Sequence, residues 1–251
     1  GVLIPQADQI QYAIGTSSTD HSCLKSDYVE TALAADAASG ATALTVDSIT
    51  GIAASDKIGV QLDDGTIHFT TVNGAPSGTT VTLTLALTDT AGSGAKVMTY
   101  TTRLVRPIKI VAVRRKNLSS GYETTLTRLE RADYQALAAK TSSGLPSQYF
   151  YDPQLSLGQF YLYQREDSIS EIINFTCHRP IEDFDAAADN PDLPQEWIKA
   201  LNYGLALDLG DSFDIPDQRY NRIAAQFAAT MSALSGFDRE EGSVFLQPDL
   251  D

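Results

Sequence analysis

Between residues 38 and 100 the chain repeats one pattern five times, an alternating run of apolar and polar residues closed off by turn formers. The runs are Thr42–Val46, Lys57–Leu62, Thr66–Val72, Thr80–Leu85 and Lys96–Tyr100. Alternation at period two places every second side chain on one face, which suits a half-buried strand and not a helix. The punctuation is Gly40, Gly51, Asp63-Asp64-Gly65, Asn73-Gly74, Pro76-Ser77-Gly78 and Gly92-Ser93-Gly94. That is turn chemistry at the spacing of a small antiparallel barrel or sandwich, and Asp64-Gly65 between two runs is its clearest hairpin signal. The segments on either side read as continuous with one another. Residues 38–100 are therefore predicted to be a β-module inserted into a host domain and able to project from it.

The host begins in residues 1–37, where Ile10, Tyr12 and Ile14 alternate with Gln9, Gln11 and Ala13. It resumes over 101–193, with extended segments at Leu104–Val113 and Tyr122–Leu129. A short helix follows at Glu130–Ala139, where Tyr134, Leu137 and Ala138 form one apolar stripe. Three further strands are expected at Gln148–Tyr151, Gln159–Tyr163 and Ile169–His178. In the first two, Tyr149, Tyr151, Tyr161 and Tyr163 alternate with Phe150, Phe160 and Leu162. This leaves two readings, hydroxyls presented at a subunit boundary or cross-strand aromatic pairing within one sheet.

From Pro194 the period changes. Trp197, Leu201, Leu205 and Leu209 recur every four residues up to Gly210, and Ile223, Phe227, Met231 and Leu234 share a face between Asp217 and Ser235, with Gly236 placed as a cap. Residues 194–236 thus form a helical pair, followed by an extended tail over 237–251. With 43% hydrophobic residues the chain can bury a sizeable core. The predicted class is α+β, an antiparallel β host domain with an inserted small β-barrel or sandwich module and a C-terminal helical pair.

The formal charge of −14 repels polyanions on average and argues against a general nucleic-acid binder. Within Arg103–Arg131, however, eight basic residues face only Glu123 and Glu130. Three readings stay open for that segment: a strand face balanced by acids of the same chain, a contact between subunits, or direct phosphate binding. Two cysteines far apart, Cys23 and Cys177, encode no disulfide framework and suit a reducing compartment. No apolar run is long enough for a membrane span.

Signals for catalysis are weak. The acid groups Asp63 with Asp64, Glu182 with Asp183 and Asp185, and Glu240 with Glu241 could in principle supply a glycosidase pair roughly 5 to 9.5 Å apart. All three groups lie in turns, loops or a tail, where solvated acids are the plainer reading. Asp183, Asp185, Asp189, Asn190 and Asp192 do not follow a calcium-loop spacing. His21, His68, His178, Cys23 and Cys177 lack zinc-ligand spacing, and Gly92-Ser93-Gly94 lacks the ending of a phosphate loop. No cofactor and no metal is expected.

The words Arg106-Pro107-Ile108-Lys109-Ile110, Arg114-Arg115, Lys140–Pro146, Tyr151-Asp152-Pro153-Gln154, Gly158–Tyr163, Arg179–Asp185, Asn190–Trp197 and Phe237–Pro248 form an ordered set. From about Tyr100 to Pro248 they resemble the head-to-tail adaptor of short-tailed bacteriophages, the tail accessory factor or packaged DNA stabilisation protein. That family starts with Met and N-terminal helices, whereas this chain opens on strand-like Gly1-Val2-Leu3-Ile4, so a truncated or processed N-terminus is expected.

The resemblance implies a structural virion protein without enzymatic activity, made in the host cytoplasm and built into the tail vertex. Its implied partners are the portal protein, the tail nozzle or hub, copies of itself in a twelve-membered ring, and packaged double-stranded DNA in the bore, with no membrane. A ring needs two unlike patches meeting head to tail. Arg106, Arg114 and Arg115 against Glu182, Asp183 and Asp185, with Trp197, are the inter-subunit candidates. The tail residues Phe237, Val244, Phe245, Leu246 and Pro248 are the candidates for docking on the portal by strand addition or groove filling. The rival expectations are a virion-associated peptidoglycan hydrolase and a glycan- or receptor-binding tail component carried by residues 38–100.

Overall fold

The run Val2-Leu3-Ile4 has no polar residue to alternate with, and all three side chains are buried in a strand, β1 (Val2–Ile4), inside a five-stranded sheet. A strand whose neighbouring residues are all apolar must bury both of its faces. The computed structural model describes residues 1–166, 169–180, 194–213 and 215–237 of the 251-residue chain. It is a mixed α+β molecule of mostly antiparallel sheets with a C-terminal helical pair. Residues 1–180 and 181–251 form separate compact units.

In the first unit, β2 (Gln11–Ile14) and β3 (His21–Cys23) precede a block of six strands: β4 (Val29–Ala32), β5 (Ala43–Thr45), β6 (Lys57–Gln61), β7 (Ile67–Thr71), β8 (Thr80–Thr82) and β9 (Lys96–Tyr100). Then come β10 (Lys109–Asn117), β11 (Glu123–Thr125), β12 (Thr127–Arg128), α1 (Arg131–Ala136), β13 (Gln148–Pro153), β14 (Gly158–Tyr163) and β15 (Glu171–His178). Three layers result. The central sheet has the order β11-β10-β15-β1-β3, one flanking sheet β12-β13-β14-β2, and the other β4-β9-β6-β7.

Each of the five alternating runs of 38–100 contains one strand, β5 to β9. The hairpin at Asp64-Gly65 joins β6 to β7: the Asp64 carboxylate accepts from the Thr66 N–H and hydroxyl, and Gly65 takes φ +84°, where a side chain would be strained. The sheet reaches upstream of residue 38, because β4 pairs with β9, Val29 opposite Thr99. A ribbon of β5 and β8 is stitched to this sheet at two corners by the bridges Leu33–Val46 and Val72–Leu83. One core, including Leu33, Leu44, Val46, Ile58, Val60, Val81, Leu83 and Val97, fills the space between sheet and ribbon.

The inserted block does not project. Its other face supplies Ile67, Met98 and Tyr100 to a core shared with Val2, Ile4, Cys23, Ile169 and Ile172 of the host. Leu3, Ile173 and Phe175 point the opposite way, into a core with Tyr12, Ile14, Tyr149, Phe160 and Leu162. Alternation along β1 and β15 therefore feeds two cores at once. At the root of the insertion the Asp27 carboxylate accepts from the N–H groups of Thr101 at 3.1 Å and Thr102 at 2.7 Å, tying entry to exit.

Register decides the aromatic strands. Tyr149 stands opposite Leu162 and Phe150 opposite Tyr161, so each pair shares a face. Tyr149 faces inward with Phe160, whereas Phe150 and Tyr161 face outward under Tyr134 of α1, with ring centroids 5.5 and 5.0 Å away. Cross-strand pairing holds, and the outer face is roofed by α1 and not left as a row of hydroxyls. Strand β10 lies further along than Leu104–Val113, because Arg114, Arg115 and Lys116 continue the ladder with β15.

In the second unit α2 (Gln195–Ser212) and α3 (Asp217–Phe237) pack on each other. Pro194 is the N-cap of α2. Gly210 and Gly236 lie within helices and do not end them. Gly210 lets Ile215 pack closely, since a Cβ there would come within 2.9 Å of the Ile215 Cδ1. No helix among the described residues is long and apolar enough to cross a membrane.

Two predictions follow from this packing. Met98→Ala empties part of the shared core and should cost roughly 2–5 kcal/mol. Host and inserted strands should still unfold in one transition, checked by chemical denaturation with probes in each layer. The second concerns Glu166, which is buried, accepts from the Ser170 and Glu171 N–H groups, and has its carboxyl pushed up from 4.5 to about 8 by burial and then by Glu171. Below pH 4.5 folded and unfolded chains both hold this proton, so the group's contribution is fully present. Between pH 4.5 and 8 the unfolded chain ionises while the folded one keeps its proton, so the contribution drains away over that window, and roughly 5 kcal/mol is gone once pH passes the folded value. Glu166→Gln should abolish that decline, so its thermal midpoint should change less than that of the unaltered protein between pH 5 and 9.

Candidate functional site

A basic strand next to acidic strands neutralises itself where register brings opposite charges into reach. Arg114 stands across from Thr125 on β11, two residues from Glu123 on the same face, and its Nε lies 3.0 Å from the Glu123 carboxylate. Arg115 projects to Glu171 of β15, with Nη1 3.4 Å from both carboxylate oxygens. Lys116 reaches Glu30 at 3.1 Å, Arg128 pairs with Glu130 at 3.4 Å, and Arg131 pairs with Asp152 at 2.6 Å. Five of the eight basic residues in 103–131 thus find acids within the chain.

These pairs are not equivalent. Arg114 and Glu123 are both well exposed, so water and salt screen them and the pair adds little to stability. Arg115 and Glu171 are largely buried, with the Glu171 side chain only 6% exposed. Burial makes each charge depend on the other. Arg115 is thus tied into the fold by Glu171. Arg114 stays accessible. Arg106 is half-buried and has no carboxylate within ion-pair distance among the described residues. It lies close to Tyr151, whose hydroxyl donates to the Pro107 carbonyl at 2.6 Å and is pushed up to about 12 by burial.

Charge was not the only property of this stretch. Val105, Ile108 and Val111 are exposed beside Arg106 and Lys109, an apolar set that sequence periodicity had hidden because Pro107 and a β-bulge between Ile110 and Ala112 break the alternation.

In the helical pair, the apolar stripe of α2 is turned outward. Leu201, Leu205 and Leu209 are 42%, 55% and 46% exposed, and Phe213 beyond them is 75% exposed. The contact with α3 is made instead through small residues: Ala200 is buried, and the Phe227 ring lies against Gly204, 3.4 Å from where a Cβ would stand. The α3 face of Ile223, Phe227, Met231 and Leu234 is turned inward as its spacing predicts. Trp197, Ala200, Leu201, Gly204, Leu205, Asp208, Phe227 and Met231 line an apolar groove of 370 Å³ on this pair.

Glu182, Asp183, Asp185, Val244, Phe245, Leu246 and Pro248 lie outside the described residues, and of Phe237 only the backbone, ending α3, is described. Among the other residues considered for chemistry, Asp63 and Asp64 accept from backbone N–H groups of Gly92 and Thr66 in turns. Cys23 is a buried free thiol raised to about 12 by its surroundings, Cys177 is a half-buried free thiol, and His178 is exposed at the end of β15. Among the described residues no three His, Cys, Asp or Glu side chains converge where a metal could bind.

Compared with protein-family models, with curated proteins and with solved structures, the chain matches none.

The two arginines separate experimentally. Arg115→Ala leaves Glu171 buried without its partner and should cost roughly 3–5 kcal/mol. Arg114→Ala should cost about 1 kcal/mol or less. Equilibrium unfolding in urea measures both, and the difference should persist in high salt.

Proposed function

We propose that this chain is a structural virion protein, the head-to-tail adaptor of a short-tailed bacteriophage. Copies of it form a ring below the portal, extend the DNA channel, retain the packaged DNA and connect to the tail nozzle or hub. The observation that carries this reading is the exposed stripe of Leu201, Leu205, Leu209 and Phe213 on α2, continuous with the groove under Trp197. A contiguous apolar surface of this kind on an otherwise acidic chain favours a macromolecular contact. The ordered sequence words from Arg106 to Pro248 favour a portal-bound ring as that contact.

In a ring the stripe on one copy meets an unlike surface on the next. Val105, Ile108 and Val111, flanked by Arg106 and Lys109, offer apolar area and positive charge. The acids Glu182, Asp183 and Asp185, a few residues before α2, offer the complementary sign. Net negative charge elsewhere suits a bore through which DNA must slide without being held. The tail, with Phe237, Val244, Phe245, Leu246 and Pro248, is the portal-docking element of this proposal.

Mixing the purified chain with the portal protein of the same phage and imaging the particle tests it. The expected result is a ring of about twelve copies capping the portal, from the resemblance and the closure rule for unlike patches. Leu201→Lys combined with Leu205→Lys should prevent ring formation while leaving the melting temperature nearly unchanged, since both residues are exposed. Deleting 237–251 should abolish portal binding and leave folding intact. Portal-independent monomers, or full-strength portal capture of the truncated chain, would overturn the assignment.

A further inference from the structure

A shallow, open depression of 450 Å³, edged by charged and hydroxyl groups, lies where the inserted strands meet the host, lined by His21, Lys57, Phe69, Thr70, Thr71, Thr84, Leu85 and Arg103. Among the described residues its lining holds two cationic side chains, Lys57 and Arg103, with the neutral ring of His21 and no acid. Lys57 Nζ donates to the Thr101 carbonyl and Arg103 Nε to the Asp20 carbonyl, at 3.3 Å for the arginine. Those acceptors are neutral, so they hold the two cations in place without cancelling their charge. Neither cation has a carboxylate within 4.0 Å among the described residues, unlike the paired arginines of β10.

The ring of His21 is fixed by its neighbours. It stacks on Phe69 with centroids 3.4 Å apart and planes 3° from parallel, and its Nδ1 lies 2.7 Å from the Tyr100 hydroxyl. That hydroxyl and Nδ1 share one hydrogen bond, in which the ring tautomer decides which atom donates. Burial, reinforced by Arg103 and Lys57, pushes His21 down to about 3, so the ring stays neutral at physiological pH. Phe69 is held from behind by Gly59, the residue opposite it on β6, where a Cβ would meet the ring at 2.6 Å. On the other wall the Thr71 and Thr84 hydroxyls lie 2.8 Å apart, the Thr70 hydroxyl accepts from the Leu85 N–H, and the Leu85 side chain is exposed at the rim.

The geometry points to a binding site for an acidic sugar residue, a hexuronate or similar unit of an anionic glycan. Lys57 and Arg103 would hold its carboxylate, the threonine hydroxyls and His21 Nε2 its ring hydroxyls, and Leu85 its C–H face. A depression of this size is far larger than one inorganic oxyanion requires and falls in the range of small-molecule sites. Charge-assisted bonds from fixed donors favour a carboxylate over a neutral hydroxyl. A nucleic-acid strand fits less well. The cations form one pocket and not a track, the Phe69 face that could stack on a base is already covered by His21, and the chain as a whole is acidic. The inference stands independently of the adaptor reading.

Nuclear magnetic resonance of the isotope-labelled full chain tests it, with methyl β-glucuronide, methyl β-glucoside, inorganic phosphate and a short single-stranded DNA as probes. The glucuronide should shift the amide signals of Thr70, Thr71 and Thr84 and the ring of His21 saturably. The glucoside should bind about tenfold more weakly, the worth of one charge-assisted contact. Lys57→Gln should weaken the glucuronide by a similar factor without altering signals of the opposite sheet, and the unaltered protein's preference between the two glycosides remains decisive if that variant fails to fold. Absence of saturable shifts at these residues, equal affinity for both glycosides, unchanged binding by a folded Lys57→Gln, or phosphate or DNA binding there as tightly as the glucuronide would each overturn the assignment.

Discussion

The central sheet has apolar residues on both faces, and most of the first unit follows from that. Val2, Ile4 and Ile172 need cover on one side, Leu3, Ile173 and Phe175 on the other. Each fully buried side chain of this kind contributes roughly 1.5–3 kcal/mol, so neither face can be left to water. The aromatic strands β13 and β14 cover one face and the inserted sheet covers the other. An insertion that looks removable in the chain is in this way a structural layer of the host.

Electrostatics divides along the same lines. Where β10 crosses the sheet, its cations are met by acids on neighbouring strands, and the most buried of these pairs, Arg115 with Glu171, belongs to the fold. Around the depression at the junction of host and insertion, Lys57 and Arg103 are held by carbonyl oxygens instead. Among the described residues no carboxylate comes within ion-pair distance of either cation. Uncancelled charge in a fixed position is what separates a binding pocket from a stabilising network.

Strand positions were legible because turns and alternation are local. Asp64-Gly65 announced its hairpin, and Tyr12, Ile14, Phe160 and Leu162 announced which way their strands face. Contacts between layers were not legible, since Ile67 and Met98 look like any inward residues until the sheet they meet is known. The same holds for the face assignments of Tyr149 and Phe150, which depend on a register no single strand encodes, and for α2, where spacing showed a stripe of leucines but not that Ala200 and Gly204 would take the helix contact. The inter-subunit candidates were read from charge, and charge alone did not distinguish Arg114, which is exposed, from Arg115, which is largely buried. His21, Lys57 and Arg103 stand far apart in sequence and carried no shared motif, so their meeting could be found only in three dimensions.

The insertion enters on β4 and leaves on β9, two antiparallel neighbours clasped at their base by Asp27. Tension running through the host chain would reach these strands at the same end and load their ladder rung by rung from the bottom, the geometry of a zipper and not of a shear joint. The Asp27 clasp takes that load first. Opening of the insertion at its root would begin at a single carboxylate, ahead of the β4–β9 ladder.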